Sequence, residues 1–202
     1  MDRQAHWNAA YAAKAETQVS WFQEIPARSL AMIAKAAPFG SVIDVGGGAS
    51  RLVDALLDAG RDDLTVLDIS QVALDRAKAR LGGKAAKVSW ICADITQWRP
   101  TRTWDVWHDR AVFHFLTDAA SQGAYVKALT AATHPGSAVI LSTFALTGPE
   151  RCSGLPVQRY SPAGLKARLG GGFVLEDEAQ ETHVTPWGTT QDFSYALLRR
   201  TR

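Results

Sequence analysis

Val42-Ile43-Asp44-Val45-Gly46-Gly47-Gly48-Ala49-Ser50-Arg51-Leu52-Val53 decides how this chain folds. It opens as a short apolar run rich in β-branched residues, passes through three glycines, and reopens with Leu52, Val53, Leu56 and Leu57 at helical spacing. The reading is strand, tight turn, helix. Glycine permits positive φ and lets a ligand lie against bare backbone. The helix presents free N–H groups, with Ser50 as its cap, so the loop suits a polar or anionic small molecule. Two features set it apart from a dinucleotide fingerprint. Counting from Gly46 and Gly48, the third glycine would fall where Arg51 stands. Asp44 precedes the first glycine by two residues, and an acid there suits an ammonium better than a pyrophosphate.

Downstream, Leu64–Ile69 reads as a second buried strand carrying Asp68 at its end, followed by a helix capped by Ser70 with Leu74, Ala77 and Leu81 inward. Val88–Ala93 reads as a third strand, with Cys92 in the core and Asp94 next. Trp104–His108 is a fourth, ending at Asp109, and Ala138–Phe144 a fifth after a helix over 124–133. This alternation predicts a parallel sheet with right-handed crossovers. A loop rich in turn formers, 146–162, is expected on the substrate side, before a helix at about Pro162–Leu169. Phe173–Leu175 and Asp192–Leu198 have no helical pattern between them and should pair antiparallel. Upstream, Pro26 opens a helix to about Ala36 with Leu30, Ile33 and Ala34 inward. Residues 1–25 carry Trp7, Tyr11, Trp21 and Phe22 among polar residues. They form either a helix packed on the sheet or a lid over a ligand; a lid is the expectation. The whole of 1–202 reads as one domain.

Of the 202 residues 47% are apolar and 21% charged, ordinary values for a soluble globular protein. A net charge of +2 gives no strong pull toward nucleic acid or anionic membrane. No apolar run reaches the roughly 20 residues of a membrane span, and the N-terminus lacks a secretory h-region. Cys92 and Cys152 are too few for a disulfide framework. A cytoplasmic protein, monomer or homodimer, is expected.

In an open α/β sheet, ligands sit beyond the carboxyl ends of the strands, where the glycine loop, Asp68, Asp94 and Asp109 converge. With that spacing the chain resembles the class I S-adenosylmethionine-dependent methyltransferases over essentially its whole length. The resemblance implies an α/β, Rossmann-like, doubly wound and mostly parallel seven-stranded sheet with an antiparallel C-terminal strand. It implies S-adenosyl-L-methionine as cofactor. Asp44, Gly46, Gly47, Gly48 and Ser50 match the motif that holds the methionine end. Asp68 matches the acid that takes the ribose hydroxyls, with Ile69 against adenine, and Asp94-Ile95 the pair that reads adenine. Ser50 replaces the usual last glycine, as in a branch containing protein-lysine methyltransferases.

Methyl transfer is an in-line displacement at a sulfonium, so a base is needed only for a protonated nucleophile. Asp109 could orient the methionine end or the substrate. His114 has the pKa range of a base, or is a structural histidine. His108, Asp109 and His114 fit no common metal spacing. Arg110 could hold a substrate anion. Tyr11, Trp21 and Phe22 from the lid, with Cys152, Arg159 and Trp187, are further pocket candidates. No Asn-Pro-Pro-Tyr motif follows the fourth strand, which argues against DNA-base or glutamine methylation. The expected activity is methyl transfer to a small molecule. Protein-lysine methylation and a non-catalytic cofactor-binding regulator are the alternatives, and Arg51 argues against a nicotinamide oxidoreductase.

Overall fold

The computed structural model describes residues 2–202. Its strands are β1 (Val42–Val45), β2 (Leu64–Asp68), β3 (Val88–Cys92), β4 (Trp104–Arg110), β5 (Thr133–Phe144), β6 (Arg151–Cys152), β7 (Leu155–Pro156), β8 (Phe173–Val184) and β9 (Thr190–Arg200). The helices are α1 (Arg3–Ala13), α2 (Ala27–Ala36), α3 (Leu52–Asp58), α4 (Gln71–Leu81), α5 (Ala119–Ala131) and α6 (Pro162–Leu169). Seven strands form one sheet in the order β3-β2-β1-β4-β5-β9-β8, and β6 and β7 make a separate ribbon. From β3 to β5 all pairing is parallel; β9 alone runs against its neighbours, between β5 and β8. Among the described residues, no helix is long and apolar enough to cross a membrane.

The sheet is covered on both faces, which is why β1 and β2 are apolar runs buried along their whole length. On one face α5 and α6 pack Tyr125, Leu129 and Leu165 against Ile43, Trp107 and Val139. On the other, α2, α3 and α4 bring Ile33, Leu52 and Leu74 to Val42, Val66 and Ile140. This is the doubly wound arrangement. Truncating one of these large side chains would cost about 2–5 kcal/mol.

Several local expectations need correction. Helix α5 starts at Ala119, not Ala124, because Asp118 caps it by accepting from Ser121 N–H at 2.8 Å. The inner face of α2 is Ser29, Met32 and Ile33; Leu30 is half-buried and Ala34 exposed. Cys92 is exposed, since β3 is an edge strand. Strand β8 runs twelve residues rather than three: as the opposite edge it buries little of Glu176–Thr182, so its polar residues do not interrupt it.

Candidate active site

The glycine loop leaves β1 with φ of +71° at Gly46 and +30° at Gly48, the region that excludes most other residues. A Cβ on Gly47 would lie 2.5 Å from Asp44 Oδ2, and one on Gly48 would lie 2.6 Å from Asp68 Oδ2. The bare backbone therefore leaves both carboxylates open toward the loop. Ser50 Oγ accepts from Leu52 N–H at 3.1 Å and so ties off the start of α3. Arg51 faces away from the loop, paired with Glu16 at 2.8 Å and Glu24 at 2.7 Å.

Asp44 is buried and held by a relay that the sequence did not suggest. The register of β1 and β4 sets it beside His108, whose Nδ1 lies 2.7 Å from Asp44 Oδ1. His108 Nε2 lies 2.9 Å from Ser29 Oγ on α2. In the tautomer that donates from Nδ1 to Asp44, Nε2 accepts from the Ser29 hydroxyl. Asp44 Oδ2 has no partner although buried, an orphaned acceptor beside the glycine loop.

At the tip of β2, Asp68 Oδ1 accepts from Ser70 N–H at 2.7 Å. Burial pushes its carboxyl up to about 7, and neighbouring Asp44 adds to the shift. Beyond β3, Asp94 Oδ1 accepts from Thr96 N–H at 2.8 Å and from Thr96 Oγ1 at 2.7 Å. Its Oδ2 is left to face Arg3 at 3.8 Å.

These tips open on a cavity of about 140 Å³. Asp68, Ile69, Asp94 and Ile95 line it from β2 and β3, and Arg110, Phe115, Phe144 and Phe193 from the side of β4, β5 and β9. Trp7, Tyr11 and Trp21 from the N-terminal segment and Cys152 and Leu155 from the β6–β7 ribbon complete the wall. The rings interlock: Trp7 stands edge-on to Phe115 at 5.0 Å and to Trp21 at 5.9 Å. An adjoining hollow holds Asp44, Gly47, Ser50, Glu16 and Phe22; Tyr11, Trp21, Gly46 and Arg110 border both spaces.

Helix α1 is fastened across these openings. Asn8 Oδ1 accepts from Ser70 Oγ at 2.9 Å, and Gln4 donates to Ile69 O at 3.0 Å. Just past the end of α1, Glu16 binds Arg51 at 2.8 Å and Arg80 at 2.7 Å. Such long-range partners leave no local sequence signal. Phe144 and Phe193, by contrast, sit where the strand pattern could have pointed to them.

Asp109, His114, Arg159 and Trp187 are not at the cavity. Asp109 is fully buried and accepts from Tyr125 Oη at 2.5 Å, Val112 N–H at 2.8 Å and Phe113 N–H at 3.2 Å. Burial pushes its carboxyl up to about 6 despite these donors. It therefore pins the turn after β4 rather than facing a ligand. His114 is also fully enclosed; burial, with Arg110 adding, pushes it down to about 3, so it stays neutral and too weak to act as a base. Arg159 folds back onto Gly148 O at 3.1 Å and Glu150 at 2.9 Å. Trp187 is 56% exposed beneath Lys14. Cys152, a pocket candidate, does lie at the cavity wall, buried in β6, and burial pushes it up to about 11.

Comparison with known proteins agrees with this arrangement. Residues 42–136 match the family described as "Methyltransferase domain". Over 78 residues the chain is 33% identical to a malonyl-[acyl-carrier protein] O-methyltransferase of Anoxybacillus flavithermus; the match spans 38% of this chain and only 29% of that protein. A structure described as "Conversion of a Disulfide Bond into a Thioacetal Group during Echinomycin Biosynthesis" superposes with a TM-score of 0.78 at 20% identity, over 98% of this chain and 93% of the other. The N-methyltransferase NodS from Bradyrhizobium japonicum WM9, in complex with S-adenosyl-L-homocysteine, superposes with a TM-score of 0.74 at 15% identity, over 96% and 98%. A methyltransferase-domain model thus matches residues 42–136, and the strand order and whole-chain superpositions give this chain the fold of these solved structures.

Proposed function

We propose that this protein transfers the methyl group of S-adenosylmethionine to a small molecule held in the aromatic half of the cavity. The observation that carries the reading is a single cavity joining two strand-tip acids to an aromatic chamber. Asp68 accepts from the ribose hydroxyls, in charge-assisted bonds. Asp94 Oδ2 accepts from the adenine amine, with Ile69 and Ile95 against the ring. The orphaned Asp44 Oδ2 and the nearby Glu16 offer negative charge to the ammonium, and the glycine loop admits the methionine tail. The cofactor supplies a methyl group on a sulfonium, already a good leaving group. What the chain adds is orientation and exclusion of water.

Residues 1–25 serve as the lid of a single domain. A small acceptor is favoured over a protein side chain because Trp7, Tyr11 and Trp21 of the same chain already roof the chamber. The similar proteins are named for O-methylation, N-methylation and thioacetal formation, so likeness alone does not choose the acceptor atom.

Calorimetry with S-adenosylhomocysteine tests the cofactor half. Asp94→Ala should weaken binding about tenfold, and Asp94→Asn less, because an amide oxygen still accepts. Wild-type affinity in both variants would remove Asp94 from the site. Labelled-methyl transfer to a panel of small thiols, phenols and amines tests the other half. His114→Phe should keep its rate there, since a lost general base would cost about 10²–10⁴-fold.

A further inference from the structure

Apart from Asp68 and Asp94, the side chains that line the cavity offer no group able to take a proton. Trp7, Trp21, Phe115, Phe144 and Phe193 are apolar or donor-only. Tyr11 is held far above its ordinary range by burial and Cys152 is pushed up to about 11, so both keep their protons. Asp68 and Asp94 lie at the nucleotide side, Asp94 facing Arg3. Arg110 is the cation on the acceptor side. Its guanidinium lies over the Phe193 ring at 4.2 Å, and Nε donates to Tyr195 Oη at 3.1 Å and Nη1 to Trp21 O at 3.1 Å. Nη2 has no hydrogen-bond partner; Glu181 stands 3.8 Å away, itself accepting from Tyr195 and Gln23. Burial, with Arg110 adding, holds His114 and His183 on the neutral side. Glu181 does not line the cavity, so from within the chamber the positive end of the pair is nearer.

An acceptor for this chamber must arrive without help from a base, fit among aromatic rings, and tolerate a neighbouring cation. Resting on the methyltransferase reading above, we propose that the acceptor is a small apolar thiol that reacts as its thiolate under the positive field of Arg110. Three physical arguments select sulfur. A thiol ionises at about pH 8.5, whereas a phenol or alkylammonium releases its proton only near pH 10. Sulfur is a weak hydrogen-bond acceptor and loses little on leaving water, while a phenolate or carboxylate oxygen would lose strong bonds that the rings cannot replace. Sulfur against aromatic rings is a favourable contact. An amine would remain cationic after methylation, beside Arg110. The reaction balances simply: the thiol gives its proton to solvent, the thiolate forms a bond to the methyl carbon, and the carbon–sulfonium bond breaks with its electron pair to the departing sulfur. The products are a methyl thioether and S-adenosylhomocysteine.

The test uses the full chain with S-adenosylhomocysteine bound and thiophenol as probe. Ultraviolet absorbance of the bound thiolate, followed against pH, gives the ionisation midpoint of the probe in the chamber. The midpoint should lie below that of free thiophenol. Arg110→Met should raise it by about one unit or more, the usual effect of removing an adjacent opposite charge. Arg110→Lys keeps the charge and should keep most of the lowering even if the hydrogen bonds of Arg110 prove necessary for full stability. With labelled cofactor, thiophenol should be methylated at least about tenfold faster than phenol or aniline. A midpoint unmoved by Arg110→Met, preference for phenol or aniline, or no thiol binding while S-adenosylhomocysteine binds normally would each overturn the thiol. Loss of S-adenosylhomocysteine affinity in a folded Arg110→Lys protein would move Arg110 to the cofactor and also overturn it. Failure of the wild type to bind S-adenosylhomocysteine would instead sink the broader reading.

Discussion

Asp68→Asn is expected to weaken S-adenosylhomocysteine binding about tenfold or more, while raising the melting temperature of the free protein at pH 8. Both effects follow from burying a carboxylate that awaits a partner. The ribose hydroxyls would donate to a charge, and bonds to charged acceptors contribute about 1.5–3 kcal/mol against 0.5–1.5 for neutral ones. Two such bonds weakened together give the affinity loss. Without cofactor the same charge is a burden. Its carboxyl titrates near 3.8 when unperturbed and near about 7 in the fold, so the folded state holds a proton more tightly. The resulting stability is fully present below about pH 4 and is lost as pH rises through about 7. Asparagine never ionises and escapes that loss. The comparison to make is wild type against variant at pH 5 and pH 8, because the advantage of the variant should grow with pH. Asp109, also raised, and His114, lowered, shift stability in opposite directions in both proteins and cancel from the difference. Unchanged affinity, or a melting difference independent of pH, would show that Asp68 is not the ribose acceptor in waiting.

Deleting residues 1–20 should leave a cooperatively folding protein that has lost methyl transfer by on the order of 10²-fold or more, as positioning and water exclusion fail. The packing supports survival of the fold. The two large cores on either side of the sheet draw nothing from this segment; Tyr11 instead forms a small cluster with Ala49 and Ala73. The remaining ties are the ring contacts of Trp7 with Trp21 and Phe115 and polar ones such as Asn8 with Ser70 and Glu16 with Arg51 and Arg80. Removing them should lower the melting temperature by several degrees rather than abolish the transition. Thermal unfolding beside labelled-methyl transfer decides the matter. Full activity would dismiss the lid, and loss of the transition would make the segment part of the core.

The legible parts of this protein were those set by local pattern. The glycine loop, Asp68 and Asp94 could be placed together because parallel strands deliver their ends to one edge of the sheet. The same rule misled at Asp109, which also ends a strand but turns inward to Tyr125, sixteen residues later in the chain. Nothing in the local sequence separates an acid facing a ligand from one pinning a turn. The start of α5 was hidden because Ala119-Ala-Ser-Gln-Gly has no apolar period, although Asp118 is a good cap. Most of β8 was hidden because an edge strand needs no apolar alternation. The His108–Ser29 support of Asp44 depends on strand register and on α2 docking, which no spacing rule reveals.

Helix α1 reaches both halves of the cavity: Gln4 and Asn8 sit on the β2 tip, while Trp7 leans on Phe115 above the acceptor chamber. On the lid proposed above, one stiff element would serve as a shared door for two different molecules. Neither could then exchange with solvent while the other stayed fully enclosed. The departure rates of methylated product and spent cofactor should accordingly rise and fall together, and loosening the Asn8–Ser70 bond should quicken both.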